Sequence, residues 1–128
     1  MPVLDATFLI DVSKDVAEAV ERSRALESEN RPLRTVAPVF TEVMAGAYLK
    51  GGKYLDRTAR MFDTLEVVTV DRDLADEAAR LGGDALRVGA SLGAVDLAVA
   101  ALAVRRHDFV VSRDPDFGRV PGLLVSRY

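Results

Sequence analysis

The sequence predicts an α/β domain: a central parallel sheet of four to five strands flanked by α-helices, an α/β/α sandwich. Three observations predict it. Short runs rich in valine and leucine alternate with longer segments of helical composition, and strands that alternate with helices form parallel sheets covered on both faces. The chain has 128 residues, 49% of them hydrophobic and 29% charged, which is enough for one core and too few for two. No repeat, low-complexity tract or linker divides it, so residues 1–128 read as a single domain.

Pro2 to Asp5 is short and apolar and ends in an acid, so it reads as a buried strand with Asp5 at its carboxyl end. Thr7 to Val12 starts a short helix. Asp15 to Glu29 forms a second helix, with Val16, Ala19, Val20 and Leu26 as its apolar groups, and Arg31-Pro32 breaks it. Leu33 to Ala37 is the second strand. Pro38 suits the first turn of a helix, which runs to about Lys50 and stops at Gly51-Gly52. Lys53 to Leu65 is a further helix, and the β-branched stretch Glu66 to Val70 is the third strand. An alanine-rich helix spans Asp71 to Leu86. Gly89 and Gly93 punctuate a loop, and Ala94 to Arg106 is a strongly apolar helix. Phe109 to Ser112 is the fourth strand. The turn Asp114-Pro115-Asp116-Phe117-Gly118 follows, and Leu123 to Ser126 is a candidate fifth strand.

Composition excludes several classes. With no cysteine, disulfides and thiolate metal sites are impossible, and a single histidine, His107, disfavours zinc. The start Met-Pro-Val-Leu-Asp lacks a basic region followed by a long apolar stretch. The longest apolar run, Leu97 to Val104, is too short to span a bilayer. A soluble, cytoplasmic protein without a membrane partner is expected. The net charge of -3 gives no overall attraction to nucleic acid. Basic residues are unevenly spread, however. Arg22, Arg24, Arg31, Arg34, Lys50, Lys53, Arg57 and Arg60 fall in the first half, and no lysine follows Lys53. A basic face beside an acidic pocket fits this pattern, and so do solvated charges on helix surfaces.

Ligands bind an open parallel sheet at the carboxyl ends of its strands. Asp5 ends the first strand and Asp114 follows the fourth by two residues. Glu42 falls in the first turn or so of the helix after the second strand. These three are therefore expected near one edge. Asp96 lies in the first turn of the helix before the fourth strand and reaches that edge only if its helix begins there. Its surroundings, Ala94-Val95-Asp96-Leu97-Ala98-Val99-Ala100-Ala101, are apolar all round. An ionised carboxylate on such a helix costs several kcal/mol unless a cation or another partner compensates it. Each acid also has a purely structural reading. Asp5 can cap the short helix that follows, Glu42 and Asp96 suit a first turn, and Asp114 before Pro115 suits a turn.

Four clustered carboxylates would repel one another, and would repel a phosphate, without a metal between them. Hard oxygen ligands select Mg2+ or Mn2+. Such a metal activates water and neutralises charge on a phosphate. Other acid-using chemistries fit less well. A haloacid-dehalogenase-like phosphatase needs a second Asp where Thr7 stands, and a response-regulator receiver needs a late lysine. The Gly89-Ala90-Ser91-Leu92-Gly93 segment matches a nucleophile elbow in letters only, because no strand precedes it. It reads as a glycine-rich loop, and His107 as a residue interacting with a helix C-terminus.

The chain resembles the PIN-domain family over nearly its whole length, and VapC-type toxins most closely. The carriers are Leu4-Asp5-Ala6-Thr7-Phe8-Leu9-Ile10-Asp11, Thr41-Glu42-Val43 with Gly46, Val95-Asp96-Leu97-Ala98-Val99-Ala100-Ala101, and Val110-Val111-Ser112-Arg113-Asp114-Pro115-Asp116-Phe117. The tail Val120-Pro121-Gly122-Leu123 also fits. The resemblance implies a Mg2+- or Mn2+-dependent endoribonuclease, with Asp5, Glu42, Asp96 and Asp114 as its acidic quartet and Asp116 as a further acid near the site. It implies that Asp5, Asp96 and Asp114 hold the metal. Glu42 then positions or deprotonates the attacking water, and Thr7 and Ser112 orient carboxylates or a phosphate. Thr7 and Ser112 depart from the asparagine and threonine of many relatives, although both keep a hydrogen-bonding side chain. The implied partners are RNA, a cognate VapB-like antitoxin and a second copy of the chain in a homodimer. A housekeeping RNA-processing nuclease and a catalytically silent binding module share the fold and are the alternatives. The apolar groups Val39, Phe40, Val43 and Met44, or Leu55, Met61 and Phe62, are expected to serve either the core or a dimer.

Overall fold

The computed structural model describes residues 2–128. The chain folds as β1 (Val3–Leu4), α1 (Ala6–Ser13), α2 (Ala17–Ser28), β2 (Arg34–Val36), α3 (Ala37–Lys50), α4 (Gly52–Asp63), β3 (Glu66–Val68), α5 (Arg72–Arg87), α6 (Ala94–Arg105), β4 (Phe109–Val111), a short 3-10 helix over Pro115–Arg119, and β5 (Leu124–Ser126). All five strands are parallel, in the order β3-β2-β1-β4-β5. The expected α/β/α architecture is borne out with the larger of the two strand counts. Every element sits where the alternation of apolar runs and helical segments places it. The strands are shorter than read. Ala37 already belongs to α3, and β3 ends at Val68.

β1 is central, and Val3 and Leu4 are almost fully buried between β2 and β4. Strand order therefore reverses at β1: the chain first builds outward through β2 and β3, then crosses back to add β4 and β5. Helix α6 spans β1, β2 and β4, and packs against α5. Ala98 to Ala103 are all buried, as a helix apolar all round requires. Gly82 of α5 lets α6 approach: a Cβ there would lie 2.9 Å from Leu97 Cδ1. The helices α1 to α4 form a second group, joined by contacts of α1 with α2, α3 and α4 and of α3 with α4.

Helix ends explain the glycine-rich loop. Gly89, with φ of 78°, closes α5: its N–H bonds to Leu86 O and the Ala90 N–H bonds to Ala85 O. Gly93 is the N-cap of α6. The loop is the stop of one helix and the start of the next. His107 plays the stopping role for α6, at φ 54°, with its N–H on Val104 O and the Asp108 N–H on Ala103 O.

Two expectations resolve here. Val39, Val43, Met44 and Phe62 are core residues, and Leu55 and Met61 pack partly buried against them. Phe40 stays 38% exposed and meets Phe62 edge-on at 4.8 Å. Arg34 is not a solvated helix charge. It lies in β2, only 1% exposed, with its guanidinium 3.3 Å from Glu66 Oε2 on the neighbouring strand. Among the described residues no helix is long and apolar enough to cross a membrane.

Leu102 is fully buried on α6 and Leu86 is 66% exposed on α5. Leu102→Ala is expected to cost about 2–5 kcal/mol in urea unfolding, and Leu86→Ala within about 0.5 kcal/mol. Equal losses would show that α6 is not the central packing element.

Candidate active site

The parallel sheet carries one carboxyl edge, and the strand order reverses at β1, the place where open α/β sheets bind ligands. Asp5 is the first residue after β1. It is the N-cap of α1 and only 2% exposed. Its Oδ1 accepts the Phe8 N–H at 2.8 Å, and its Oδ2 accepts the Ser112 hydroxyl at 2.5 Å. Ser112 is fully buried at the end of β4, and its Oγ also accepts the Asp114 N–H at 3.0 Å. One hydroxyl therefore ties Asp5, after β1, to the segment that carries Asp114, after β4. Asp114 in turn caps the 3-10 helix, its Oδ1 accepting the Asp116 N–H at 2.9 Å. The capping reading of Asp5 and the turn reading of Asp114 are both realised. Each cap uses one oxygen of its carboxylate, Oδ1.

Asp96 stands half-buried in the first turn of α6 and takes part in no hydrogen bond or ion pair among the described residues. Helix α6 leads into β4, so its first turn faces the carboxyl edge. Burial raises the Asp96 pKa, and the charges of Asp114, Glu42 and Asp116 raise it further. Burial likewise pushes Asp5 to about 6; the bonds from Ser112 and Phe8 oppose this, and the charges of Asp96 and Asp114 add to it. Asp5, Glu42, Asp96, Asp114 and Asp116 thus share one electrostatic field, with Asp96 as its common member. Glu42 is exposed and sits in the second turn of α3, slightly deeper along the helix than read from the sequence. Thr7, half-buried in the first turn of α1, has a hydroxyl that forms no hydrogen bond among the described residues.

Among the described residues, no three acidic or histidine side chains are gathered closely enough to hold a metal ion as they stand. Repulsion between uncompensated carboxylates opposes that closure. The donor set itself is all oxygen, which fits a hard divalent cation.

A second acidic group was not singled out by the sequence reading. Asp11 of α1 is buried, and its Oδ2 accepts both Arg113 Nε–H at 2.7 Å and the Tyr128 hydroxyl at 2.6 Å. Burial acts to raise its pKa, and the bonds from Arg113 and Tyr128 outweigh burial and lower it. The Tyr128 ring meets Phe8 edge-on at 5.1 Å. This tether holds Arg113, between Ser112 and Asp114, against α1. The clue was available: Asp11 interrupts Phe8-Leu9-Ile10-Asp11-Val12 as Asp96 interrupts its own apolar run.

Residues 3–123 match the family model described as PIN domain. The chain belongs to the PIN domain family. Solved structures agree on the fold. VapBC2 from Rickettsia felis, bound to a DNA fragment from its promoter, superposes with a TM-score of 0.79 at 17% identity, covering 98% of this chain and 97% of that one. A toxin–antitoxin complex from Klebsiella pneumoniae gives 0.75 at 25% identity, with 97% and 96% covered. Mycobacterium tuberculosis VapC20, described as a sarcin–ricin loop cleaving toxin, gives 0.71 at 18% identity, with 94% and 95% covered. No curated protein matches this PIN domain in sequence.

Two predictions follow from the charges of this PIN domain. Asp5 titrates near 6 when folded, against an ordinary 3.8, so in metal-free protein its charge opposes folding. The cost is full above about pH 6, shrinks between about 6 and 4, and is absent below about 4. In EDTA, Asp5→Asn is expected to exceed wild-type stability at pH 7.5 by on the order of 2 kcal/mol, with no advantage left at about pH 4. Melting curves across that range measure it, and a pH-independent difference would contradict a buried charge. Asp11→Ala removes the acceptor shared by Arg113 and Tyr128. It is expected to cost about 1–3 kcal/mol in urea unfolding, and a neutral result would show that the tether contributes nothing.

Proposed function

We propose that the chain is a metal-dependent endoribonuclease, the toxin of a VapBC-type pair, held in check by a cognate VapB-like antitoxin. The observation that carries this is the shared field of Asp5, Glu42, Asp96 and Asp114 at the β1 switch point, with Asp5 and Asp96 both pushed toward their neutral forms. Such crowding destabilises a bare protein and suits one that binds a cation. The solved neighbours support the biological setting, since they include a VapBC pair, a toxin–antitoxin complex and a sarcin–ricin loop cleaving toxin. A homodimer is part of the same reading. Tyr48 of α3, 70% exposed, is surface available to such a partner.

Asp5, Asp96 and Asp114 would hold Mg2+ or Mn2+. The ion, when bound, supplies charge neutralisation at the phosphate and lowers the pKa of bound water. Glu42 is exposed and has no hydrogen bond or ion pair among the described residues, so it is free to accept a proton from the attacking water. As the water oxygen bonds to phosphorus, the P–O bond to the leaving nucleotide breaks and that oxygen takes up a proton. Ser112 keeps Asp5 and the Asp114 segment in register during this step. Asp116 adds negative charge at the rim, and Thr7 offers a hydroxyl beside Asp5. A catalytically silent binding module shares the fold, but it would gain nothing from keeping Asp5 and Asp96 at this energetic cost.

Asp96→Asn is expected to reduce Mg2+- or Mn2+-dependent cleavage of labelled RNA by at least about 100-fold. The same substitution is expected to raise the melting temperature in EDTA, because it removes a charge from the cluster. Full activity in a folded Asp96→Asn protein would remove Asp96 from the site.

A further inference from the structure

The acidic cluster repels an RNA backbone, so substrate affinity must come from elsewhere on the surface. A groove of about 440 Å3 begins at Glu42 and runs between α1, α3 and α4, bounded by Ile10, Lys14, Gly46, Lys50 and Tyr54. That volume lies within the range of ligand sites. Lys14 and Lys50 are both exposed, and neither forms an ion pair among the described residues. Lys50 Nζ lies 4.6 Å from the centre of the Tyr54 ring, and the Tyr54 hydroxyl bonds with Ser13 Oγ at 2.8 Å. The ammonium is thereby held on the groove wall, and the ring that holds it is fixed from behind.

Gly46 is the independent observation. It follows Glu42 by four residues, so the two share a face of α3. Its backbone does not need glycine, since its φ is not positive. Packing within the chain does not need it either, since a Cβ there would meet nothing within 4 Å. Glycine is nevertheless the weakest helix former after proline. The space it leaves lies in the groove, one turn from Glu42.

We infer that this groove seats the RNA strand on one side of the scissile bond, with Lys14 and Lys50 binding backbone phosphates and Gly46 leaving room for a nucleotide. This rests on the ribonuclease reading above. The apolar floor at Ile10 and the Tyr54 ring suit a sugar or base, and the two cations suit the phosphates that flank it.

The test is steady-state cleavage of labelled single-stranded RNA over a range of salt, beside fluorescence-anisotropy binding of the same RNA. Wild type is compared with Lys14→Ala/Lys50→Ala, with the Lys14→Arg/Lys50→Arg rescue, and with Gly46→Leu. The double alanine variant is expected to raise KM about tenfold with kcat within about twofold. It should also flatten the salt dependence of log affinity by about 0.7 per lysine. The arginine pair should restore both. Gly46→Leu should raise KM without lowering the melting temperature. Unchanged KM, binding and salt slope in folded variants overturn the assignment and leave the groove to a protein segment. If wild type cleaves no RNA with either metal, the ribonuclease reading fails, and the anisotropy arm still decides whether the groove binds the strand.

Discussion

The hydrogen bond from Ser112 Oγ to Asp5 Oδ2 is the contact on which the site depends. It joins the ends of β1 and β4, two neighbouring strands whose residues stand 107 positions apart in the chain. Both partners are buried, so the bond forms where water cannot compete for either. The same hydroxyl accepts the Asp114 amide, and the other oxygen of Asp5 starts α1. A single polar contact thus sets the start of one helix, the end of one strand and the approach of a second acid. The surrounding apolar residues of β1, β4 and α6 make that contact worth keeping, because an unpaired carboxylate at this depth would be far more costly.

The acids differ in how they are held, and the difference suits different tasks. Asp5 and Asp114 are anchored by backbone amides, so their positions follow the strands. Asp96 has no such anchor and is held by helix α6 alone, half-buried in the field of its neighbours. Glu42 is exposed on α3 and is the most solvated of the four. A gradient runs from fixed, desolvated acids at the centre to a solvated one at the rim. In the proposed nuclease, the charges a cation would neutralise lie where the dielectric is low, and the acid proposed to exchange protons lies nearest solvent. The Asp11, Arg113 and Tyr128 tether supports the arrangement from the other side of Ser112.

Much of this could be read along the chain. Valine-rich runs alternating with helical segments gave the six helices and four strands, with a fifth strand as a candidate, because burial demands that periodicity. Asp5 was placed because it ends an apolar strand, and Asp96 was marked because it interrupts an apolar helix. The segment at Gly89 and Gly93 was read as a loop and not an elbow because no strand precedes it, and its glycines serve helix ends in the fold. Arg34 misled because arginine is almost never buried, and only its pairing across β2 and β3 explains its position. Asp11 escaped notice because its partners lie 102 and 117 residues away.

The sequence by itself determined the elements and the acidic residues with reason to be special, since these follow from local periodicity and the cost of burying charge. Tertiary structure decided which acids share a field, because that depends on strand order and not on spacing. The order β3-β2-β1-β4-β5 puts the ends of β1 and β4 side by side and turns the first turn of α6 toward them. No pattern along the chain encodes that adjacency. It arises when parallel strands close around β1, the central strand and the place where their order reverses.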